Sequence, residues 1–354
     1  MSFDDPTRPP RPGEEPDTEA LAGWLGRVRP ELAGPVEVSQ FPAGHSNLTY
    51  LLRVGDHELV LRRPPFGKKP KSGHDMHREW QVLSALAGHF PHAPEPVAFC
   101  DDTSVLGAPF FLMRRIRGLI LRRDLPEGLE LAPETMRALC CRLVDVHREL
   151  HALDHRAIGL EDFGHPEGYV ERQITGWSQR YRAARTPDVP DFEEVMAWLA
   201  ANRPPERGAA VIHNDYRFDN VVLDPGDPLR IIGILDWEMA TIGDPLMDLG
   251  ASLAYWVQAD DPPELQAIRL VPTTLPGALT RREVVDRYLQ GAGLEVDDFT
   301  FYHVYGLFRL AGIAQQIYYR FFHGQTKDPR FGRLGMAVQI LEGAARHAIA
   351  HGSP

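Results

Sequence analysis

The sequence predicts an α+β fold, in which a small antiparallel sheet comes first and a larger helical region follows. Five short apolar segments before residue 114 have the length and composition of strands, and one amphipathic helix interrupts them. From residue 133 onward, apolar residues recur every three or four positions, which indicates helices packed on a core. Strands followed by helices, without regular alternation of the two, are typical of an α+β protein.

The predicted sheet region contains one helix before its strands and one helix between them. Residues 18–32 form the first helix, because their leucines recur on one helical face. The strands are predicted over residues 36–41, 48–54, 57–62, 95–100 and 109–113. Gly55 and Asp56 make the tight turn between the second and third strands. Asp75 is predicted to cap a helix over residues 75–87, because its carboxylate can accept bonds from free N–H groups there.

The predicted helical region begins with a helix over residues 133–153. Further helices are predicted over residues 169–184, 191–201, 246–257, 281–289, 302–321 and 333–351. Two short strands, residues 220–223 and 230–235, interrupt these helices. Residues 224–228 are rich in proline and aspartate, so we expect a turn that joins the two strands into a hairpin.

The composition limits the function and the location. The chain has 354 residues and a net charge of −11, which argues against nucleic-acid binding because phosphate backbones require clustered lysine and arginine. Three cysteines, two of them adjacent, do not form an obvious disulfide framework, so we expect a reducing, cytoplasmic location. No apolar run approaches the ~20 residues of a membrane helix. Residues 1–17 are acidic and proline-rich, which predicts a disordered tail and not a signal peptide.

The most informative stretch of the sequence is residues 211–237. Asp215 and Asn220 lie five positions apart in a polar loop, and Asp236 follows an apolar strand. The spacing D-x-x-x-x-N is that of a phosphotransfer catalytic loop, in which the carboxylate accepts the proton of the attacking hydroxyl. We therefore predict that Asp215 is the catalytic base of an ATP-dependent kinase. The alternative is an aspartate that only caps or turns the loop.

Asn220 and Asp236 are the predicted magnesium ligands. Mg²⁺ takes hard oxygen ligands and keeps several waters, so two protein groups suffice beside the phosphate oxygens. The alternative for Asp236 is an aspartate that ends a strand and caps the next turn. His213 is predicted to pack beneath the loop and to bond to backbone, without acting as acid or base. Asp219 is either a second metal or substrate ligand or a solvated loop residue.

Two upstream features suit the phosphates of a nucleotide. The turn between the first two strands carries Gly44, Ser46 and Asn47, which allow close backbone approach and supply hydrogen-bond donors. Arg62 ends the third strand, where a kinase needs a cation paired with a helix glutamate, and Glu79 is the expected partner. The alternative is an edge-strand arginine with a surface partner. The phosphate-loop motif G-x-x-x-x-G-K-[ST] does not occur in the sequence.

The sequence resembles the aminoglycoside phosphotransferase and choline kinase group of small-molecule kinases. Within that group it is most similar to the kinase-like domain associated with acyl-CoA dehydrogenase family members 10 and 11. The motifs that carry the resemblance are residues 44–50, 60–65, 74–79, 213–220, 234–238 and 243–249. The resemblance implies a protein-kinase-like two-lobe fold. Its expected parts are a tail (1–17), a small antiparallel-sheet N-lobe that binds nucleotide (18–115), and a large helical C-lobe with the catalytic loop, metal site and acceptor site (116–354).

The same resemblance implies ATP and Mg²⁺ as cofactors, with the adenine near Met113. Arg62 stands where the wider group has lysine. Asp244 is expected to cap a helix, and Asp248 is expected to brace the catalytic loop. Residues 236–238 read Asp-Trp-Glu where protein kinases have D-F-G, which favours a small-molecule substrate over a protein.

The sequence therefore predicts an ATP- and Mg²⁺-dependent phosphotransferase that acts on a hydroxyl of a small molecule. The resemblance suggests a hydroxyacyl-CoA or a related metabolite as the acceptor. The alternative is a catalytically weak nucleotide-binding module that partners an acyl-CoA dehydrogenase, an idea motivated by Arg62 in place of lysine. The acceptor, the oligomeric state and the choice between ATP and GTP are left open, and no nucleic-acid or membrane partner is expected.

Overall fold

The computed structural model describes residues 5–42, 47–65, 75–326 and 328–353, and the chain forms two compact units. The first, the sheet unit, comprises Met1–Ile120, Ile158–Phe163 and Val221–Ala240. The second, the helical unit, comprises Leu121–Ala157, Gly164–Asn220 and Thr241–Pro354. The predicted α+β class, with an antiparallel sheet followed by mostly helical structure, is confirmed.

The sheet unit is built on five antiparallel strands. They are β1 (Glu37–Gln40), β2 (Leu48–Val54), β3 (His57–Arg63), β4 (Pro96–Cys100) and β5 (Phe110–Arg114). Their order is β1-β2-β3-β5-β4, so β3 is the central strand. In β3, Leu61 pairs with Tyr50 of β2 and with Leu112 of β5. The next residue, Arg62, pairs with Thr49 and Phe111. Because side chains alternate along a strand, Leu61 and Arg62 face opposite sides of the sheet.

Two helices belong to this sheet. Helix α1 (Thr18–Val28) contributes Leu21, Trp24 and Leu25 to the core that also contains Leu59 and Leu61. Helix α2 (Met76–Leu86) begins at the predicted cap, where the Asp75 carboxylate accepts bonds from two backbone N–H groups of its first turn. Glu79 lies on the buried stripe of α2 among apolar residues, which marks it as a partner for a buried cation. A short helix, α3 (Thr103–Leu106), lies between β4 and β5.

The helical unit contains eight helices and a two-stranded sheet among its described residues. The helices are α4 (Pro133–His151), α5 (Tyr169–Ala184), α6 (Glu193–Ala201), α7 (Pro245–Leu253), α8 (Pro263–Ala267), α9 (Arg281–Ala292), α10 (Thr300–Phe322) and α11 (Leu334–His351). The sheet pairs β6 (Ala210–Ile212) with β9 (Thr241–Gly243). Helices α7 and α10 are in close contact where Gly250 and Gly306 lie. No side chain fits there, since a Cβ added at Gly306 would lie 2.0 Å from the Gly250 carbonyl oxygen. No helix in the described ranges is long and apolar enough to cross a membrane.

A hairpin from the second half of the chain belongs to the sheet unit. It consists of β7 (Val221–Asp224) and β8 (Asp227–Ile234), so the predicted hairpin is present. Leu119 forms a backbone bridge with Leu223, and the Ile234 N–H donates to the His92 carbonyl at 2.7 Å. These bonds fix the end of β8, which is the point where the chain reaches Asp236.

Some observed elements differ from the predictions. The helix predicted over residues 246–257 ends at Leu253, and Trp256 instead lies in a buried turn, where its Nε1 donates to the Leu279 carbonyl. The first helix ends at Val28, because a 3₁₀ turn, Pro30–Leu32, follows and proline cannot donate a helical bond. The elements α3, α8, β6 and β9 were outside the predicted set, since three to five residues carry too little periodicity to be recognised.

The predicted lobe bounds stay a prediction, but residues 5–17 make contacts that a disordered tail would lack. Arg8 exchanges two backbone hydrogen bonds with Gln40 of β1, at 3.0 and 2.7 Å. The Tyr50 hydroxyl donates to the Glu14 carbonyl at 2.7 Å. Composition does not reveal such pairing, because backbone bonds to a sheet edge require no apolar side chains.

Candidate functional site

Arg62 lies at the centre of a cluster of three carboxylates within the sheet unit, which we name the Arg62 cluster (Arg62, Glu79, Asp236 and Glu238). The guanidinium donates to Glu79 Oε1 at 2.5 Å and, through both Nη atoms, to Asp236 Oδ1 at 3.1 Å. It also donates to Glu238 Oε2 at 3.0 Å, which accepts a bond from Asn47 Nδ2 at 2.8 Å. The predicted contact between Arg62 and Glu79 is present, and Glu238 is a member that the sequence did not point to.

The Arg62 cluster carries more negative than positive charge. One guanidinium faces three carboxyl groups, so negative charge is in excess whether Glu79 is ionised or holds its proton. Burial raises the pKa of Glu79 to about 8, and the negative charges of Asp236 and Glu238 add to this shift while Arg62 opposes it. Arg62 Nε and Glu79 Oε2 are buried, and neither has a hydrogen-bond partner among the described residues. The cluster therefore has excess negative charge and two buried polar atoms without a hydrogen bond.

Asp236 is held in a backbone conformation that is rare for residues other than glycine. Its φ is 68°, in the left-handed region, where a non-glycine residue stores roughly 1–3 kcal/mol of strain. The next residue, Trp237, anchors the turn, because its Nε1 donates to the Ile234 carbonyl at 2.8 Å and its ring packs on Phe90. The Asp236 side chain does not cap the following turn, so the capping alternative is wrong. Its bonds to Arg62 both use Oδ1, and the side chain is 38% exposed, which leaves Oδ2 for another ligand.

The other residues of the predicted nucleotide site are described only in part. Gly44 and Ser46 lie outside the described residues. Asn47 is buried and bonded to Glu238. Met113 is buried in β5, opposite Val60 of β3. Their roles in binding nucleotide stay predictions.

The predicted catalytic loop follows β6 within the helical unit and ends in a 3₁₀ turn, Phe218–Asn220. Asn220 Nδ2 donates to both the carbonyl and the Oδ2 of Asp215, each at 2.8 Å. Arg217 lies between two acids, with Nε 3.2 Å from Asp215 Oδ1 and Nη1 2.9 Å from Asp219 Oδ2. The loop thus brings Asp215 and Asn220 together. Because Asn220 uses its amide nitrogen for these bonds, its amide oxygen can act as an acceptor or metal ligand.

Asp248 supports the backbone of this loop. It is fully buried, and its two oxygens accept bonds from the N–H groups of His213 at 2.8 Å and Asn214 at 2.7 Å. Oδ2 also contacts Nε2 of His147 at 3.0 Å and Nε2 of His151 at 3.1 Å. We call these five residues the Asp248 network. The predicted bracing contact is confirmed, whereas the two histidines were missed; their only sequence signal is the i, i+4 spacing on α4.

The hydrogen bonds of the Asp248 network are mutually consistent. Burial acts to raise the pKa of Asp248, but the contacts with His147 and His151 outweigh it and hold the pKa well below its usual range. Burial also lowers the pKa of His147 to about 4. His151 Nδ1 lies 2.7 Å from the Tyr288 hydroxyl, which can donate to it and leave Nε2–H for Asp248. The three side chains also lie close enough together to hold a metal ion, but the hydrogen bonds of the two Nε2 atoms to one carboxylate already account for their arrangement.

Two further expectations about this region are confirmed. The His213 ring is fully buried, and its Nδ1 accepts a bond from the Asp215 N–H at 3.2 Å, so it packs beneath the loop as predicted. Asp244 caps α7, because its Oδ1 accepts from the N–H groups of Leu246 and Met247 at 2.9 and 3.3 Å. Both residues therefore position the loop and its neighbouring helix.

Comparison with known proteins extends these observations. Residues 37–279 match the model of the phosphotransferase enzyme family, APH. The mouse protein named acyl-CoA dehydrogenase family member 10 is 34% identical over 338 residues, which are 95% of this chain and 31% of the mouse protein. The chain thus spans about a third of the length of that relative.

Two solved structures show the same fold. A Ralstonia eutropha protein, provisionally named an aminoglycoside phosphotransferase, is 30% identical with a TM-score of 0.81 and covers 96% of this chain and 100% of its own. Aminoglycoside phosphotransferase APH(4)-Ia, in ternary complex with AMP-PNP and hygromycin B, is 15% identical with a TM-score of 0.60, over 94% and 99% of the two chains. The second likeness shows the fold alone. With a kinase-like fold and a family match over most of its length, the chain belongs to the phosphotransferase enzyme family.

Proposed function

We propose that this chain is an ATP- and Mg²⁺-dependent phosphotransferase that acts on a hydroxyl of a small molecule. The observation that carries the proposal is the geometry of the catalytic loop, in which Asn220 holds the Asp215 carboxylate and Asp248 holds the backbone. A carboxylate fixed in this way can accept the proton of a hydroxyl as the P–O bond forms.

The available oxygen atoms fit Mg²⁺ within each unit. In the helical unit, Asn220 offers an amide oxygen, and in the sheet unit Asp236 offers a partly exposed carboxylate oxygen. The excess negative charge of the Arg62 cluster is a second reason, because a bound cation would offset it. When bound, the metal would offset negative charge on the phosphoryl group during transfer.

Arg62 is the proposed phosphate contact. Glu79 holds Nη1 of its guanidinium, and the fork of an arginine matches two phosphate oxygens where lysine offers only a point charge. Phosphate oxygens would take the place of the Asp236 or Glu238 carboxylate as acceptors. The other residues of the proposed nucleotide site are Gly44, Ser46, Asn47 and Met113.

The proposed acceptor is a hydroxyacyl-CoA or a related hydroxylated metabolite. Its support is the 34% identity to the mouse protein named acyl-CoA dehydrogenase family member 10. This relation suggests that the phosphotransferase and an acyl-CoA dehydrogenase act on the same class of acyl substrate.

The experiment is transfer of labelled γ-phosphate from ATP to a panel of hydroxyacyl-CoA thioesters of different chain length. We expect a labelled acceptor with Mg²⁺ and none after chelation by EDTA. A panel without any labelled acceptor, or transfer that EDTA leaves unchanged, would contradict the proposal.

A second candidate is a catalytically weak nucleotide-binding module that partners an acyl-CoA dehydrogenase. The observation that favours it is that the guanidinium of Arg62 already forms ion pairs with three carboxyl groups of the protein. Calorimetry with Mg²⁺ and ATP on the unaltered protein and on Asp236→Ala discriminates the two. Tight binding that depends on Asp236, without transfer to any acceptor, would favour the module.

A further inference from the structure

The helical unit contains a cavity of about 560 Å³. It lies between the end of α7, helix α8, and the long helices α10 and α11. Its lining is mostly aliphatic, and Leu253, Val257 and Leu307 are buried there. The residues that line it include none of the described catalytic loop, the Asp248 network or the Arg62 cluster. A mostly apolar space of roughly 300–1,000 Å³ with a few polar groups is the usual form of a small-molecule site.

His303, on α10, is a buried polar side chain in the lining of this cavity. It is only 6% exposed, and its Nδ1 lies 2.7 Å from the Ser353 hydroxyl. Ser353 is fixed in turn, because its N–H donates to the Thr300 hydroxyl at 2.7 Å. The Nε2 atom of His303 has no hydrogen-bond partner among the described residues. Because a polar group in an apolar environment is unfavourable without a hydrogen bond, a ligand that bonds to Nε2 would be stabilised in the cavity.

The ionisable groups of the cavity lining are either paired, neutral or exposed. Arg281 donates to both carboxylate oxygens of Asp261, at 2.6 Å each. Burial and the charge of Arg281 lower the pKa of His303 to about 3, so its ring is neutral. The other two ionisable lining residues, Glu264 and His347, are at exposed positions. The buried part of the described lining thus has no unpaired charge to attract an ion, and an ionised group would lose its hydration on entering.

Gly343, on α11, leaves part of the cavity empty. It lies inside a helix, where glycine is less favourable than alanine. Its φ is not positive, and a Cβ added there would meet no atom of the described residues within 4 Å. Neither the backbone conformation nor the packing therefore requires glycine at this position. The space beside it is open to a ligand.

We propose that this cavity binds an uncharged small molecule with an aliphatic body and one polar group, and that His303 Nε2 forms the hydrogen bond to that group. Aliphatic amides, esters and alcohols belong to this class. The ligand would also contact Trp256, which lines the cavity and whose ring packs on Phe218 of the catalytic loop, with 5.7 Å between the ring centres. The inference is independent of the proposed function, because binding in the cavity requires neither ATP nor phosphate transfer.

The test is equilibrium dialysis of the full chain with radiolabelled octanamide and octanoate, which share the aliphatic body and differ in the charge of the head group. We expect saturable binding of octanamide, about tenfold or more tighter than that of octanoate, because the carboxylate is ionised near pH 7 and loses its hydration in the cavity. No saturable binding of octanamide, or equal affinity for the two probes, overturns the proposal.

The role of His303 is tested by His303→Phe, which keeps a ring of similar size and removes Nε2. Its affinity for octanamide should fall about fivefold or more, because one hydrogen bond to the ligand is lost. An affinity equal to that of the unaltered protein contradicts the assignment of the hydrogen bond to His303.

A cavity-filling variant, Gly343→Leu, locates the binding site without altering His303. It replaces a helical glycine beside open space, so its melting temperature should be unchanged or ~2 °C higher. Its affinity for octanamide should fall about tenfold or more, because the leucine side chain occupies the space of the ligand.

The matched control is Gly23→Leu, the same substitution at an exposed position of α1, where the nearest atom to an added Cβ is 3.8 Å away. It should leave the affinity for octanamide unchanged. Octanamide binding that survives unchanged in Gly343→Leu would place the probe elsewhere on the protein and overturns the proposal. A melting temperature of Gly343→Leu several degrees lower would show that the space is not open, and this also overturns it.

Discussion

The Arg62 cluster and the Asp248 network are both buried and charged, yet they differ in how well their members are satisfied. In the Asp248 network, one carboxylate accepts hydrogen bonds from two backbone N–H groups and two imidazoles, and all four bonds can form at the same time. In the Arg62 cluster, three carboxylates compete for one guanidinium, and two buried atoms, Arg62 Nε and Glu79 Oε2, lack a partner among the described residues.

This difference distinguishes a region that supports the fold, the Asp248 network, from a region suited to binding a ligand, the Arg62 cluster. A satisfied polar network holds backbone in place, and its loss destabilises the fold. An unsatisfied cluster stores unfavourable energy that a ligand of the right charge can release, which is the usual exchange of stability for activity at functional sites. By this reasoning the Arg62 cluster is suited to binding a cation, whereas Asp248 supports the loop that carries Asp215.

The largest expected change in stability comes from the satisfied network. Asp248→Ala leaves two backbone N–H groups and two imidazoles without their acceptor, so we expect a loss of about 3–5 kcal/mol in the free energy of unfolding. Urea denaturation measures it, with Asp297→Ala, at an exposed position, as the control. A loss below about 1 kcal/mol would remove the distinction between the two regions.

At Glu79 we expect a change in stability of intermediate size that depends on pH. Its folded-state pKa of about 8 lies above the usual value of 4.5 for a glutamate, so between these two pH values the folded protein holds a proton that the unfolded chain releases. Stability from this group is therefore present below pH 4.5 and is lost as pH rises toward 8, by at most about 1.4 kcal/mol per pH unit. Glu79→Gln should flatten the pH dependence of urea midpoints measured without divalent cations.

The matched control for Glu79 is Glu264→Gln, at an exposed position on α8. It should leave the pH dependence of the urea midpoints as it is in the unaltered protein. Parallel curves for Glu79→Gln and the unaltered protein would show that the Arg62 cluster is not strained by excess negative charge.

The smallest change in stability is expected at Asp236, although the change in activity is large. Asp236→Asn removes one of three competing carboxylates and keeps a residue type that tolerates a positive φ, so the free energy of unfolding should stay within about 1 kcal/mol or rise. The Mg²⁺-dependent rate of phosphate transfer should fall at least ~100-fold, because a proposed metal ligand is lost. A variant that loses more than about 2 kcal/mol would instead assign Asp236 to the support of the fold.

Local patterns in the sequence predict much of the fold and part of the site. The cap at Asp75, the hairpin after Asn220 and the contact between Arg62 and Glu79 follow from short-range signals and from a known family pattern. The strands β6 and β9 do not, because they pair across about thirty residues and have three residues each. Helix periodicity also extends falsely past Leu253, since a buried turn can be as apolar as a helix.

The polar groups that were not predicted from the sequence share one property. Glu238 and His147 matter because of what lies beside them in space, and neighbours distant in sequence leave no local signal. His147 had one available clue, since it lies four residues before His151 and therefore on the same face of the predicted helix.

The most direct test of the account is the ratio of phosphate-transfer rates between the unaltered protein and Asp215→Asn, at saturating ATP, Mg²⁺ and acceptor. Asparagine keeps the shape of Asp215 and an oxygen for Asn220, but it cannot take a proton. We predict a loss of ~10²–10⁴-fold, with Asp297→Asn as the exposed control remaining within about twofold. Equal rates for Asp215→Asn and the unaltered protein would contradict the assignment of Asp215 as the catalytic base.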